Sequence, residues 1–243
     1  MPVTPAHPAV VLALRGTALP MSALVVGSMA PDAPLFLTGS AGYSVTHAWW
    51  GVLTVDLVVA VLALTLWFGV LRDALVDLAP AVVRHRLPER ARPSRRDGWL
   101  VPVAAVVGGL THLGWDAFTH GDGWGTARVG WLRATHHGLE GYRWAQYVSG
   151  LVGLLVVATA AALELRRRRP VPRSRRSRIS PVALPAAIVL AALAGGVAGL
   201  VRRDDGLHAM AFDAVITAGV AGAALVAALT VVWHVVPARD LSR

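Results

Sequence analysis

Residues 99–120 read WLVPVAAVVGGLTHLGWDAFTH, an apolar run that ends in a cluster of polar side chains. At a rise of 1.5 Å per residue, a helix of this length covers about 33 Å, which matches the roughly 30 Å hydrocarbon core of a bilayer. Four other stretches have the same apolar character: 47–69, 144–165, 181–201 and 209–235. The sequence therefore predicts an all-α, polytopic membrane bundle of about five spanning helices, forming one membrane domain over residues 1–243.

The composition supports a membrane protein and excludes several other classes. Of the 243 residues, 55% are hydrophobic and only 15% are charged, whereas soluble domains carry about 25% charged residues. The chain has no cysteine, which excludes disulfides, thiolate metal sites and a cysteine nucleophile. It also lacks the GxSxG, P-loop and HExxH motifs, so serine-hydrolase, kinase and zincin chemistry receive no support.

The net charge of +9 is concentrated in two arginine-rich loops, 70–98 and 166–180. Because positively charged loops stay in the cytoplasm, these loops and the C-terminus are predicted to face inward. The same rule explains the arginines without nucleic acid, so no nucleic-acid partner is expected, and the expected partner is membrane lipid. A nucleic-acid or lipid-surface binder that uses the arginine loops is the disfavoured alternative.

The N-terminal region 8–30 differs from the five spans because Arg15, Gly16 and Pro20 divide it into two short apolar halves. Each half is too short to cross a bilayer. A pair of re-entrant or interfacial helices is the first interpretation, and one broken spanning helix is the second.

The polar cluster at the end of span 99–120 is the strongest candidate for chemistry. His112, Asp116 and His120 stand at positions i, i+4 and i+8, so on a helix they lie within about 80° of one another. Two imidazoles and a carboxylate suit a divalent metal, with zinc preferred and iron or manganese as alternatives. A polar, hydrogen-bonded helix end at the membrane interface would show the same pattern.

Three further residues are predicted to reach the same outer face: His7 before the first half-helix, Asp32 after the second, and His47 at the start of span 47–69. Together with the cluster on span 99–120, they would suit a two-metal site, or one metal with a general base. Asp32 is the candidate to orient the attacking water. For His7 and Asp32 the alternative is helix capping, since both lie at predicted helix ends.

Other polar residues have interpretations that do not involve this site. Asp56, inside the first span, is expected to be a buried protonated carboxyl or a partner in an interhelical hydrogen bond. His136 and His137 lie in an outer loop, where a histidine pair is usually solvated.

The same residues carry a resemblance that covers almost the whole chain. The sequence resembles the bacterial integral membrane family known as domain of unknown function 4184 in its motifs TPAHPA (4–9), GSMAPD (27–32), TH (46–47), His112 to Gly121, and YRWAQY (142–147). The order of these motifs is also similar to a wider group of membrane-bound proteins predicted to be metal-dependent hydrolases, which resemble zinc-dependent phospholipase C. This chain departs from the wider group at Gly42 to Val45, where a further histidine is common.

The resemblance implies that His7, Asp32, His47, His112 and Asp116 are the metal-site candidates. The expected function is metal-dependent hydrolysis of a lipid-like ester or phosphoester at the outer membrane face. The alternative is a non-catalytic membrane protein, such as a transporter, a metal carrier or a scaffold subunit, in which the polar residues form a structural network or a transit site.

Overall fold

A computed structural model of the chain describes residues 4–39, 41–173 and 177–237. Within these ranges the chain is almost entirely helical. Its two strands, β1 (Thr135–His136) and β2 (Leu139–Glu140), form one short antiparallel pair. The predicted cytoplasmic C-terminus lies outside the described residues.

Five helical segments are long enough and apolar enough to cross a membrane, which confirms the predicted all-α polytopic bundle. These segments are Val55–Leu78, Arg95–Arg128, Gly141–Arg167, Ala183–Val201 and Leu207–Val235. Most of their surface is apolar and unburied within the chain, as expected for helices that face lipid.

The α-helices of the described residues are α1 (Pro8–Val11), α2 (Met21–Gly27), α3 (Ala33–Leu37), α4 (Tyr43–Thr46), α5 (Trp49–Leu53), α6 (Val55–Leu66), α7 (Arg72–Leu78), α8 (Ala81–Arg84), α9 (Arg95–Thr119), α10 (Trp124–Arg128), α11 (Gly130–Arg133), α12 (Gly141–Arg167), α13 (Ala183–Val201) and α14 (Leu207–Val235). A π-helical turn, Trp67–Leu71, joins α6 to α7, and 3-10 turns lie at Thr4–Ala6, Leu12–Leu14, Ala30–Asp32 and Arg203–Asp205.

The N-terminal region forms the expected broken helical pair. Its apolar halves, Thr4–Leu14 and Met21–Leu37, are both shorter than a span. The chain turns between them at Gly16, whose φ of +93° lies in the left-handed region that favours glycine. Placement of this pair in the membrane stays a prediction.

The first span begins later than the sequence indicated, at Val55 rather than at residue 47. Two short helices, α4 and α5, precede it, because the backbone is extended at Ala48 (ψ 145°) and leaves helical geometry again at Thr54 (ψ −85°). Close packing requires this fold-back: a Cβ on Gly51 would lie only 1.8 Å from the carbonyl oxygen of Val45. His47 therefore does not open a spanning helix but ends α4.

The chain divides into two compact units. The first consists of Pro2–Leu64 and Pro93–Ala161, and the second of Thr65–Arg92 and Ala162–Arg243. In the second unit, α13 packs closely on α14 through small residues: a Cβ on Gly195 would lie 2.4 Å from the carbonyl oxygen of Ala214. Small residues let helices approach in this way in membranes.

In the first unit, α2 packs against α9 through glycines on both helices. A Cβ on Gly27 would lie 2.2 Å from the carbonyl oxygen of Ala105, and a Cβ on Gly108 would lie 2.3 Å from that of Leu24. The backbones therefore touch, and the C-terminal end of α2 lies beside the middle of α9. This contact brings the loop after α2 to the polar end of α9.

Candidate metal centre

The six candidate residues of the sequence meet in the first unit, although they come from four separate segments. His7 lies just before α1, Asp32 ends the 3-10 turn before α3, and His47 ends α4. The other three lie on α9 or at its C-terminal cap: His112, Asp116 and His120. The predicted i, i+4, i+8 stripe therefore faces the N-terminal segments.

Four side-chain atoms form the centre of this cluster. The Nε2 atom of His112 lies 3.3 Å from Nε2 of His47 and 3.2 Å from Oδ2 of Asp116. The Oδ1 atom of Asp32 lies 3.7 Å from Nε2 of His112 and 3.6 Å from Nε2 of His47. Nε2 of His47 lies 3.5 Å from Oδ2 of Asp116. Each of the two imidazole nitrogens thus lies close to the other and to two carboxylate oxygens.

The opposite nitrogen of each central imidazole is held by a backbone carbonyl. Nδ1 of His112 donates to the carbonyl oxygen of Ser28 at 2.9 Å, and Nδ1 of His47 donates to that of Tyr43 at 3.0 Å. Because a carbonyl oxygen only accepts, Nδ1 carries the proton in both rings. In the neutral rings, both Nε2 atoms therefore direct lone pairs into the cluster, the orientation that metal-binding histidines show.

The carboxylates are fixed by hydroxyl groups and neighbouring rings. The Thr4 hydroxyl donates to Oδ2 of Asp32 at 2.5 Å, which leaves Oδ1 of Asp32 directed at the imidazoles. Oδ1 of Asp116 lies 3.7 Å from Nε2 of His7, while its Oδ2 faces the central imidazoles. The Thr46 hydroxyl donates to the carbonyl oxygen of Pro31 at 2.8 Å. This bond holds the neighbouring His47 close to the 3-10 turn before α3.

The capping alternative for His7 and Asp32 is not what the structure shows. Each stands at the N-cap position of a short helix, α1 for His7 and α3 for Asp32, yet neither side chain makes a capping hydrogen bond. The His7 ring instead stacks on that of His112, with centroids 3.8 Å apart. Its Nδ1 atom is buried and has no hydrogen-bond partner among the described residues.

His120 lies at the edge of the cluster. Its Nδ1 is 3.5 Å from Oδ2 of Asp116, and its Nε2 is 3.3 Å from the side-chain nitrogen of Gln146 on α12. About a third of the side chain is exposed (32%), whereas His112 is fully buried. His120 is therefore the histidine at the mouth of the site.

The electrostatics of the loop residues show how strongly the cluster attracts positive charge. Burial alone would lower the pKa of His47, but hydrogen bonds to Asp116 and Asp32 outweigh it and raise the pKa to about 9. Burial raises the pKa of Asp32, yet His47, the nearby His112 and the Thr4 hydroxyl together lower it below its ordinary value. His7 is different: burial and the neighbouring His112 lower its pKa to about 4.

The donor set fits a divalent cation. For zinc–nitrogen or zinc–oxygen bonds of about 2.0–2.2 Å, the ligand atoms of a tetrahedral site lie about 3.3–3.6 Å apart. The five separations between an imidazole nitrogen and another of these atoms are 3.2–3.7 Å. Two groups of residues have ligand atoms that all lie within 4.8 Å of one another and could hold a metal ion: His47, His112 and Asp116, and His7, Asp32 and His112. His120 belongs to neither group, and its predicted role as a ligand stays a prediction.

Other polar residues lie apart from the four central atoms. His136 stacks on Trp131 and bonds its carbonyl oxygen at 2.8 Å, while His137 is exposed at the turn of the strand pair. Asp56 is buried, and neither of its carboxylate oxygens has a hydrogen-bond partner among the described residues. Asp213, in the second unit, pairs with Arg202 at 3.1 Å.

Sequence reasoning missed the groups that orient the ligands. Thr4, Tyr43 and Gln146 contact Asp32, His47 and His120 respectively, and the Tyr43 ring stacks on His47 with centroids 3.6 Å apart. Thr4 and Thr46 belong to the sequence motifs TPAHPA and TH, which also contain His7 and His47. Membership in these motifs was the sequence signal that could have pointed to the two threonines. The carbonyl oxygen of Ser28 has no sequence signal, since every residue carries one.

The fold and this cluster together define a class: a polytopic helical membrane protein with a buried group of histidines and aspartates that could hold a metal ion. The particular family follows from sequence comparison. The profile described as "Domain of unknown function (DUF4184)" matches residues 1–233, and the chain belongs to that family. Neither the curated proteins nor the solved structures contain a significant match to the chain.

Proposed function

We propose that this protein is an integral membrane, metal-dependent hydrolase that cleaves an ester or phosphoester bond of a lipid-like substrate. The observation that carries the proposal is the four-atom centre, in which Nε2 of His47 and of His112 lie 3.3 Å apart and each lies 3.2–3.7 Å from one carboxylate oxygen of Asp32 and one of Asp116. Such a concentration of acceptors needs a positive charge at its centre.

Zinc suits this centre best among the common divalent ions, because imidazole and carboxylate groups are ligands that it binds. When bound, such an ion supplies Lewis-acid chemistry: it makes water a better nucleophile and stabilises charge on a carbonyl or phosphoryl oxygen. His47, His112 and Asp116 would hold it, which leaves Asp32 free to act on water. Nδ1 of His7 is buried and has no hydrogen-bond partner among the described residues, so it is a further polar atom beside the centre that could contact a ligand.

The residues around the centre have separate roles in the proposed reaction. Water adds to the carbonyl carbon or phosphorus, the bond to the leaving oxygen breaks, and one proton passes from the water to that oxygen. Asp32, held by the Thr4 hydroxyl, orients the attacking water as a hydrogen-bond acceptor. His120, exposed at the mouth, is placed to deliver the proton to the leaving oxygen.

The site is proposed to face the extracytoplasmic side of the membrane. On α9, Arg95 and Arg96 begin the helix and Asp116 lies 21 residues later, a rise of about 31 Å. The arginines and the cluster are therefore separated by roughly the thickness of a hydrocarbon core. Because arginines favour the cytoplasmic side, the cluster belongs to the opposite one.

Metal analysis of detergent-purified protein tests the metal part of the proposal. Wild type should retain about one equivalent of zinc per chain, and a double variant, His112→Ala with Asp116→Ala, should lose it. His136→Ala is the matched control, since that histidine lies outside the cluster. Equal, sub-stoichiometric metal in wild type and double variant would refute a metal centre.

Hydrolysis assays then test the reaction. Protein in mixed micelles should cleave phosphodiester or carboxylic-ester lipid substrates, and a chelator should abolish the activity. An uptake assay in proteoliposomes distinguishes hydrolysis from the transport alternative. Metal flux without hydrolysis would contradict the proposal. A transit path needs polar groups through the full depth of the bilayer, and in the described part of the first unit only Asp56 stands out as a deeper buried carboxyl.

A further inference from the structure

A lateral groove lies beside the metal centre, between α9 and α12 of the first unit. Its volume is about 460 Å³, and its lining includes Trp115, Phe118, Thr119, Val148, Ser149 and Val152. Both helices are among the segments apolar enough to cross a membrane. The groove therefore opens along the face that these helices present to lipid.

The lining leaves no polar group for a polar ligand. The Trp115 indole donates to the hydroxyl of Ser149 at 3.0 Å. The Thr119 hydroxyl donates to the carbonyl oxygen of Trp115 at 3.3 Å. What these residues present to an occupant is ring faces, methyl groups and methylenes, which favours an apolar chain over a headgroup or a peptide.

One end of the groove lies next to the candidate metal centre, whose residues do not themselves line the groove. The Thr119 hydroxyl lies 3.5 Å from Oδ1 of Asp116, and the Trp115 ring lies 5.3 Å from the ring of His7. From this end the α12 side of the groove extends over about two helical turns, from residue 145 to residue 152, which is about 10 Å. A molecule whose chain fills the groove would thus place its polar end beside Asp116 and His120.

We propose that the lateral groove holds one acyl chain of a membrane lipid, which enters sideways from the bilayer and brings its ester or phosphoester bond to the centre. Occupancy by the chain rests only on the groove, whereas cleavage of the bond rests on the function proposed above. The exposed valines on α12, Val148 at 55% and Val152 at 52%, form the lipid-facing wall through which the chain would pass.

Photo-crosslinking tests occupancy without any reaction. Protein in liposomes containing a phospholipid with a diazirine on one acyl chain should form adducts in peptides that cover 115–119 and 145–152. Val148→Trp fills the groove and should lower these adducts severalfold. Leu151→Trp is the matched control, because Leu151 is equally exposed on the same helix (60%) but does not line the groove, and its adducts should match wild type.

Equal labelling of these peptides in both variants would overturn the proposal, and so would their absence from the adducts of wild type, as expected if a second copy of the chain covered the groove.

Hydrolysis supplies the second measurement. Val148→Trp should lower kcat/KM for a long-chain substrate about tenfold, equivalent to about 1.4 kcal/mol, while a short-chain soluble analogue is cleaved as by wild type. Equal loss for both substrates would overturn the groove, whereas no cleavage of either by wild type would refute the hydrolase alone.

Discussion

If the candidate centre binds metal as proposed, substitution of Gly108 by alanine should weaken that binding, although residue 108 does not touch the centre. The added Cβ would lie 2.3 Å from the carbonyl oxygen of Leu24 and 2.7 Å from the amide nitrogen of Ser28. A carbon normally stays at least about 3.3 Å from a carbonyl oxygen. The two helices would therefore have to separate by about 1 Å at this crossing.

That displacement acts on the metal centre through one hydrogen bond. Nδ1 of His112 lies 2.9 Å from the carbonyl oxygen of Ser28, and a shift of about 1 Å would put the pair beyond hydrogen-bond range. The imidazole of His112 would lose the contact that fixes its proton and its orientation. Losses of this kind typically cost 10–100-fold in metal affinity, and overpacking adds about 1–3 kcal/mol of destabilisation.

Competition with a chelator in detergent solution measures the affinity, and thermal unfolding measures the stability. Gly114→Ala is the control on the same helix, because a Cβ there meets no atom within 4 Å. Gly108→Ala should lose at least about tenfold in zinc affinity, and Gly114→Ala should retain it. If both variants bound zinc as tightly as wild type, the packing of α2 on α9 would not position His112, and the reasoning would be refuted.

Three further predictions concern charge. In metal-free protein, protonated His47 between Asp32 and Asp116 stabilises the fold, because folding raises the pKa of His47 to about 9. This stabilisation is complete below the unfolded pKa of about 6.5 and is lost as pH rises through 9. The total loss in the free energy of unfolding is about 3 kcal/mol. Unfolding curves at pH 6.5 and 9.5 test this prediction, and the His47→Gln variant should show a smaller difference in unfolding free energy between the two pH values. A stability that rises with pH would contradict the prediction. Apparent zinc affinity should rise about tenfold per pH unit up to pH 9, since zinc displaces that proton, and a pH-independent affinity in chelator competition would argue against His47 as a ligand. In the second unit, Asp77 accepts hydrogen bonds from the Trp233 indole at 2.8 Å and from the Arg84 guanidinium, so Asp77→Asn should lower stability by about 2 kcal/mol, seen as a lower Tm, with zinc affinity unchanged.

The parts of the fold that depend on local pattern were predictable from the sequence. Five apolar runs gave five spanning helices, because length and hydropathy alone decide whether a helix suits a bilayer. The stripe of His112 and Asp116 was predictable for the same reason, since positions i and i+4 share a helix face whatever else the chain does.

The segments that depend on tertiary contact were not predictable. His47 lies in an apolar run that continues into the first span, so periodicity placed it on that helix. The break at Ala48 and Thr54 exists because α5 folds back on the end of α4, with Gly51 against the carbonyl oxygen of Val45. A glycine in an apolar run does not reveal which backbone it will approach.

The residues His7 and Asp32 illustrate a different limit. A histidine or an aspartate at a helix start predicts capping and ligation equally, because both roles need the same position. The structure shows contacts across the chain in place of capping bonds, while ligation stays a prediction: the Thr4 hydroxyl bonds Asp32, and the His7 ring stacks on His112. Pairings between residues 28 and 105 positions apart have no signature in a single sequence.

The orientation of the two central imidazoles is compatible with metal binding as well as with a hydrogen-bond network. Here the Nδ1 protons of His47 and His112 are directed away, to the backbone carbonyls of Tyr43 and Ser28. Both Nε2 atoms, 3.3 Å apart, are left to face each other and the carboxylates.

Two lone pairs at that distance repel unless a cation lies between them. A single proton on His47 relieves this in the metal-free protein, and hydrogen bonds to Asp116 and Asp32 raise the pKa of His47 to about 9 although burial opposes it. One proton, however, bonds one acceptor well, whereas the centre presents two nitrogens and two carboxylate oxygens. A divalent ion could engage several of these acceptors at once, so the proposed function predicts exchange of the His47 proton for a metal.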